Sequence, residues 1–178
     1  ADAFVGGTPS DVALGLVTFS TTPSLLVAPT KDHAVVRRAL AGVRAGGETA
    51  LYDGILTSLD ALRGHGDASL VVLSDGGDTT STVGVDQLLR QLRTSAVSLQ
   101  VVALTTRESA GEVLRRIAAS RGVKPLAVAE ATDLAAVFRG AASALSQQVS
   151  VRLPVPASLA GRQVTLGVAF STPRGRVE

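Results

Sequence analysis

The amino-acid sequence predicts an α/β fold: a doubly wound, mostly parallel sheet covered by helices, followed by the start of an antiparallel β module. Three observations carry that prediction. Short, continuously apolar runs alternate with helical stretches over residues 1–146, the pattern of strands buried on both faces between crossover helices. Glycines close several of the helical stretches. From about Gln147 the pattern changes to period two with one polar face, the signature of antiparallel strands. The predicted domains are therefore 1–146 and 147–178, the second incomplete.

Ala1 to Val5 reads as the tail of a helix stopped by Gly6-Gly7. Asp11 to Ser20 holds the apolar run of a buried strand. Ser24 to Ala28 is a second strand. It follows after four residues, so it returns antiparallel, because a parallel crossover needs a dozen or more. Asp32 to Val43 is helical, with Val35/Val36, Ala39/Leu40 and Val43 on one face. Leu51, Ile55, Leu59 and Leu62 stripe the next helix, with Gly64 as its stop. Ser69 to Ser74 is the clearest buried strand. Val85 to Leu92 is a helix and Leu99 to Leu104 a strand. Ser109-Ala110-Gly111-Glu112 forms a capping box opening a helix that runs to Gly122. Leu126 to Ala129 is a strand, and Leu134 to Leu145 the last helix. Val149, Val151 and Leu153, then Val164 to Phe170, alternate with polar or small residues. Two strands do not make an independent domain. Both ends look cut, and the chain reads as part of a longer protein.

Composition removes several functional classes. With 178 residues, 46% hydrophobic and 18% charged, the chain is an ordinary globular sequence. There is no Cys, so thiol catalysis and zinc-thiolate sites are excluded. Aromatics are 3%, too few for stacking platforms on single-stranded nucleic acid. Residues 1–146 carry 13 Lys and Arg against 14 Asp and Glu, and no element bears a basic stripe. A nucleic-acid partner is not expected. No apolar run approaches the ~20 residues of a membrane span. His33 and His65 have no evident partner for general catalysis, and neither is assigned a catalytic role.

Ligands in an open α/β sheet collect outside the carboxyl ends of its strands. Three polar clusters belong there: Ser20-Thr21-Thr22, Gly46-Gly47-Glu48-Thr49, and Ser74-Asp75-Gly76-Gly77-Asp78-Thr79-Thr80. Asp75 directly follows the best strand, which places its carboxylate at the sheet edge. Thr49 puts a hydroxyl beside a helix N-terminus. Hydroxyl and carboxylate without imidazole or thiol is the donor set of a hard cation such as Mg²⁺, Mn²⁺ or Ca²⁺. The bland alternatives are common: an Asp-Gly at a strand end is usually a turn, and a Thr before a helix usually a cap. Asp78 is a candidate support for the loop, against the commoner reading of a solvated acid. Asp53 reads by default as first-turn charge, with a supporting place behind the site as the alternative.

VALGLVTFS, GGETALYDGI and LVVLSDGGD, in that order and spacing, resemble the von Willebrand factor type A (VWA) domain over residues 1–146. The resemblance implies a Rossmann-like fold and a metal-ion-dependent adhesion site. In it Thr49 matches a direct metal ligand and Asp75 a group acting through water, with Ser20 and Asp78 as possible supports. The family's Asp-x-Ser-x-Ser triplet is absent, so cation binding within these residues is expected to be weak or absent. The resemblance also implies that the sheet lacks its central first strand, leaving a gap between the strands at Val12–Phe19 and Leu70–Ser74.

The function so implied is a non-enzymatic, divalent-metal-dependent protein-binding module whose partner presents a carboxylate. Two alternatives stand beside it. One is an enzyme on a doubly wound sheet with its motif upstream of Ala1, since none of G-x-G-x-x-G, G-x-x-x-x-G-K-[ST] or G-x-S-x-G occurs in these residues. The other is a VWA subunit docking on a motor ATPase. A VWA domain followed by a β module is also similar to actinobacterial membrane proteins carrying a type II secretion system F segment. That likeness implies a place on the outer face of a bacterial membrane.

Overall fold

The computed structural model describes residues 1–75, 77–104, 111–128 and 131–146, and beyond them 154, 156–159, 170–172 and 175–177. Ala1–Gln148 and Val149–Glu178 form two compact units. The first contains, in order, α1 (Asp2–Gly7), β1 (Leu14–Phe19), β2 (Pro23–Thr30), α2 (His33–Gly42), α3 (Leu51–Ala61), β3 (Ser69–Ser74), α4 (Val85–Thr94), β4 (Ser98–Leu104), α5 (Gly111–Ala119), β5 (Leu126–Val128) and α6 (Ala131–Ser146). This is the expected α/β, Rossmann-like architecture. The second unit shows a 3-10 turn at Ala157–Leu159 and an antiparallel ladder of β6 (Phe170–Thr172) with β7 (Gly175–Val177). The alternating runs at Val149–Leu153 and Val164–Val168, and Ser109 of the capping box, lie outside the described residues.

β3, β4 and β5 pair in parallel, in that order, with Leu70 opposite Leu99 and Val102 opposite Leu126. Successive strand residues point to opposite faces. Val101 and Val102 of β4 are 1% and 0% exposed, so both faces of this sheet are covered. That explains why the strand reads as an unbroken apolar run rather than an alternation. On one face Leu51 and Ile55 of α3, Leu88 and Leu92 of α4, and Leu114 and Ile117 of α5 meet Val72 and Val101 in the main core.

β1 and β2 form a separate antiparallel pair. Pro23 and Pro29 give β2 two positions without a donor, as suits an edge strand. A smaller core of Val5, Leu14, Val27 and Val36 lies beneath this pair. Phe4 meets Phe138 edge-on, with ring centroids 6.2 Å apart.

Among the described residues no strand joins β1 to β3. The space between them is a groove of about 440 Å³, lined by Leu14, Leu16 and Val17 on one side, Leu70 and Val72 on the other, and Ile55 of α3. α3 packs against β1, β2 and β3. One helix therefore spans two half-sheets, and the gap is where the absent central strand was expected.

Two local expectations need correction. The first strand begins at Leu14 rather than at Val12. Val12 is drawn out of the ladder because its amide donates to the Pro9 carbonyl (3.1 Å) and its carbonyl accepts from His33 Nε2 (2.8 Å). His33 thus has a structural role. The opening helix also runs through Gly6-Gly7 instead of stopping there. Its end is satisfied by the Thr8 hydroxyl, which donates to the Phe4 carbonyl at 2.8 Å.

Candidate functional site

The three polar clusters meet at one place, and backbone hydrogen bonds bring them there. The chain leaves β1 at Ser20, whose carbonyl accepts from the Ala50 amide at 2.8 Å. Thr21 Oγ1 accepts from the Glu48 amide at 3.3 Å. The segment before α3 is thereby held against the end of β1. Gly47 makes the approach possible: its φ is +82°, and a Cβ there would lie 2.8 Å from Thr21 Oγ1. Gly47→Ala is expected to cost about 1–2 kcal/mol in left-handed strain alone. Chemical denaturation of the variant measures that loss.

The loop after β3 reaches the same segment. The amide of Thr49 donates to Thr79 Oγ1 at 2.8 Å, and the Thr49 carbonyl accepts from the amides of Thr79 (2.9 Å) and Thr80 (3.4 Å). Thr49 is thus pinned on its backbone from both sides, by Ser20 through the adjacent Ala50 and by Thr79 directly. Its side chain is half-buried. Asp75 directly follows β3 at the carboxyl edge of the parallel sheet and is exposed. Ser20, Thr49 and the Asp75–Ser81 loop therefore share one rim of the fold.

Two carboxylates take the supporting places that were the less common readings of their sequence positions. Asp78 is not a solvated acid. Its Oδ1 accepts from the Tyr52 amide (3.1 Å) and the Ser81 hydroxyl, and its Oδ2 from the Ser81 amide (3.1 Å). Asp53 faces the other way: Oδ2 accepts from the Thr82 amide (2.8 Å) and hydroxyl (3.0 Å), and Oδ1 from the Val83 amide (3.3 Å). The Asp53 amide in turn donates to Ser81 Oγ at 3.1 Å. The bonds made by the Tyr52 and Asp53 amides cap α3, whose N-cap residue Ala50 has no polar side chain to do so. The cap comes from the following loop rather than from the Thr49 hydroxyl. The signal in the sequence was an uncapped helix start, paired with the Asp- and hydroxyl-rich run 78–82. Burial, then the negative charge of Asp78, raises the Tyr52 hydroxyl pKa above its ordinary value, with Arg116 opposing. Tyr52 is therefore neutral at physiological pH.

The rim offers hydroxyl and carboxylate oxygen, the donor type of a hard divalent cation. The number is small. Asp53 and Asp78 already accept several hydrogen bonds each, and among the described residues no three of His, Asp or Glu gather as a metal-holding group. Thr49, Asp75 and Ser20 could supply part of a coordination shell but not a complete cage.

Comparison with known proteins bears on the fold. Residues 1–77 match the family model of the von Willebrand factor type A domain. A UPF0353 protein of Nocardia farcinica is 33% identical over 86 residues, an alignment covering 43% of this chain and 26% of that protein. This chain thus spans about a quarter of that relative's length. Among solved structures, von Willebrand factor type A from Catenulispora acidiphila superposes with a TM-score of 0.69 at 14% identity, covering 79% of this chain and 35% of that one. BatB from Bacteroides thetaiotaomicron superposes with a TM-score of 0.63 at 11% identity, covering 82% and 84%. At these identities the structural likeness shows the fold.

Proposed function

We propose that this chain, a von Willebrand factor type A domain by its fold and its matching N-terminal residues, binds a protein partner through a divalent cation held at the rim. The coarser half of that statement, a protein-interaction module, is supported by the match of residues 1–77 to that domain's family model. The finer half rests on one observation: Thr49 is locked by hydrogen bonds between the end of β1 and the loop that begins at Asp75.

In this reading Thr49 supplies a hydroxyl ligand, Asp75 a carboxylate acting through water, and Ser20 a supporting hydroxyl. Together they supply part of a coordination shell. When bound, Mg²⁺, Mn²⁺ or Ca²⁺ supplies a positive centre that a partner's carboxylate completes. The protein's own contribution is to fix the oxygens in place before the partner arrives, which reduces the ordering cost of binding. No helix among the described residues is long and apolar enough to cross a membrane.

The test uses the full-length protein. Mn²⁺ affinity, read from the free-ion electron paramagnetic resonance signal, is expected to fall by about 10- to 100-fold in Thr49→Ala and in Asp75→Ala, the usual cost of losing a supporting group at a metal site. Unchanged affinity in both variants contradicts the assignment.

A further inference from the structure

We infer that Asp53 and Asp78 are positioning residues, a reciprocal clamp that holds the Thr49 segment and the Asp75 loop in the arrangement a cation needs. The inference rests on the reading of Thr49 and Asp75 as cation donors.

The two carboxylates sit on different segments, and each is bonded by the other segment's donors. Asp53 lies on α3, four residues after Thr49, and holds the amides of Thr82 and Val83 in the loop. Asp78 lies in the loop, three residues after Asp75, and holds the amide of Tyr52 on the helix. Ser81 joins the two halves: its hydroxyl donates to Asp78 and accepts from the Asp53 amide. Neither segment can move relative to the other without breaking charge-assisted hydrogen bonds, which are about twice as strong as neutral ones. The helix N-terminus adds a favourable field for both acids.

A plain capping role does not require this exchange. One acid in the loop would cap α3, yet Asp53 turns away from its own helix to hold the loop. The device spends a second carboxylate on fixing the distance between two segments, each bearing a candidate donor. Asn is the informative replacement. It keeps the shape, but at Asp53 and at Asp78 both oxygens accept from N–H or O–H donors, so an NH₂ group must face a donor at either position.

The experiment uses full-length protein, Asp53→Asn, Asp78→Asn and the double variant. Amide hydrogen exchange without metal reads the clamp itself. Mn²⁺ affinity reads its consequence. Exchange in 77–83 is expected to accelerate about tenfold in each single variant, while 69–74 and 98–104 keep their rates, which shows that the fold survives. Mn²⁺ affinity is expected to fall about 10- to 100-fold, with the double variant losing less than the two single losses combined, as for members of one network. Unchanged exchange in both single variants overturns the inference. So does faster exchange with unaltered Mn²⁺ affinity, which leaves the cation reading standing. A wild-type protein that binds no Mn²⁺ removes the cation reading, and the positioning role falls with it.

Discussion

A polypeptide of residues 1–178 on its own is expected to self-associate at roughly micromolar concentration and to melt without a single cooperative transition. The cause is the groove between β1 and β3. Its walls are Leu14, Leu16, Val17, Leu70 and Val72, and its volume is about 440 Å³. Two strand edges face each other there with no strand between them among the described residues. Backbone donors and acceptors at such edges must be satisfied by water or by another chain, and an apolar surround favours the chain. β2 adds to the hazard: Leu25 and Leu26 are each 43% exposed on an outer strand. Its two prolines blunt that edge, so the inner gap dominates. Only α3 and the contact of α1 with α6 are seen to join the halves among the described residues, so heating should separate the β1–β2 pair from the β3–β5 sheet at different temperatures. Light scattering with calorimetry measures both properties. A monodisperse sample with one sharp transition contradicts this account.

The second large effect is Gly54→Ala. In an exposed helix interior this exchange stabilises by about 1 kcal/mol, because Gly is the poorer helix former. Gly54 is buried, and an added Cβ would sit 2.5 Å from Phe19 Cβ and 2.9 Å from two of its ring atoms. Phe19 Cβ belongs to the strand's rigid part, so relief requires β1 and α3 to move apart. Overpacking of this kind costs about 1–3 kcal/mol and outweighs the propensity gain. Gly140 of α6 is the control. Among the described residues no atom beyond its own stretch of helix lies within 4 Å of its hypothetical Cβ, so Gly140→Ala should gain about 0.5–1 kcal/mol. Opposite signs for one substitution in two helices are the expected result, read as denaturant midpoints. Because Phe19 immediately precedes Ser20, the loss at Gly54 should also loosen the rim.

Much of this fold is legible in the sequence, and physical reasons explain which parts are not. Ser69–Ser74 and Leu99–Leu104 are readable because a strand buried on both faces cannot afford a polar residue at most positions. α3 is readable from the stripe Leu51, Ile55, Leu59, Leu62. The start of β1 is not, because a side chain twenty-one residues away, His33, takes the Val12 carbonyl. The rim is half legible. The positions of Asp75 and Thr49 follow from a strand end and a helix start. The roles of Asp53 and Asp78 do not, since a carboxylate's partners across twenty-six to thirty residues leave no local periodicity. Gly54 reads locally only as a weak helix former; its need comes from Phe19 on another element.

The central claim is that the rim beside Thr49 and Asp75 holds a divalent cation. Anomalous diffraction from crystals of the full-length protein grown with Mn²⁺ tests it most directly. The account predicts a peak about 2.0–2.2 Å from Thr49 Oγ1, the distance of hard-cation oxygen ligands in this size class, with the Asp75 carboxylate one water away. A fully occupied Mn²⁺ elsewhere, or no peak at this rim at millimolar Mn²⁺, contradicts it.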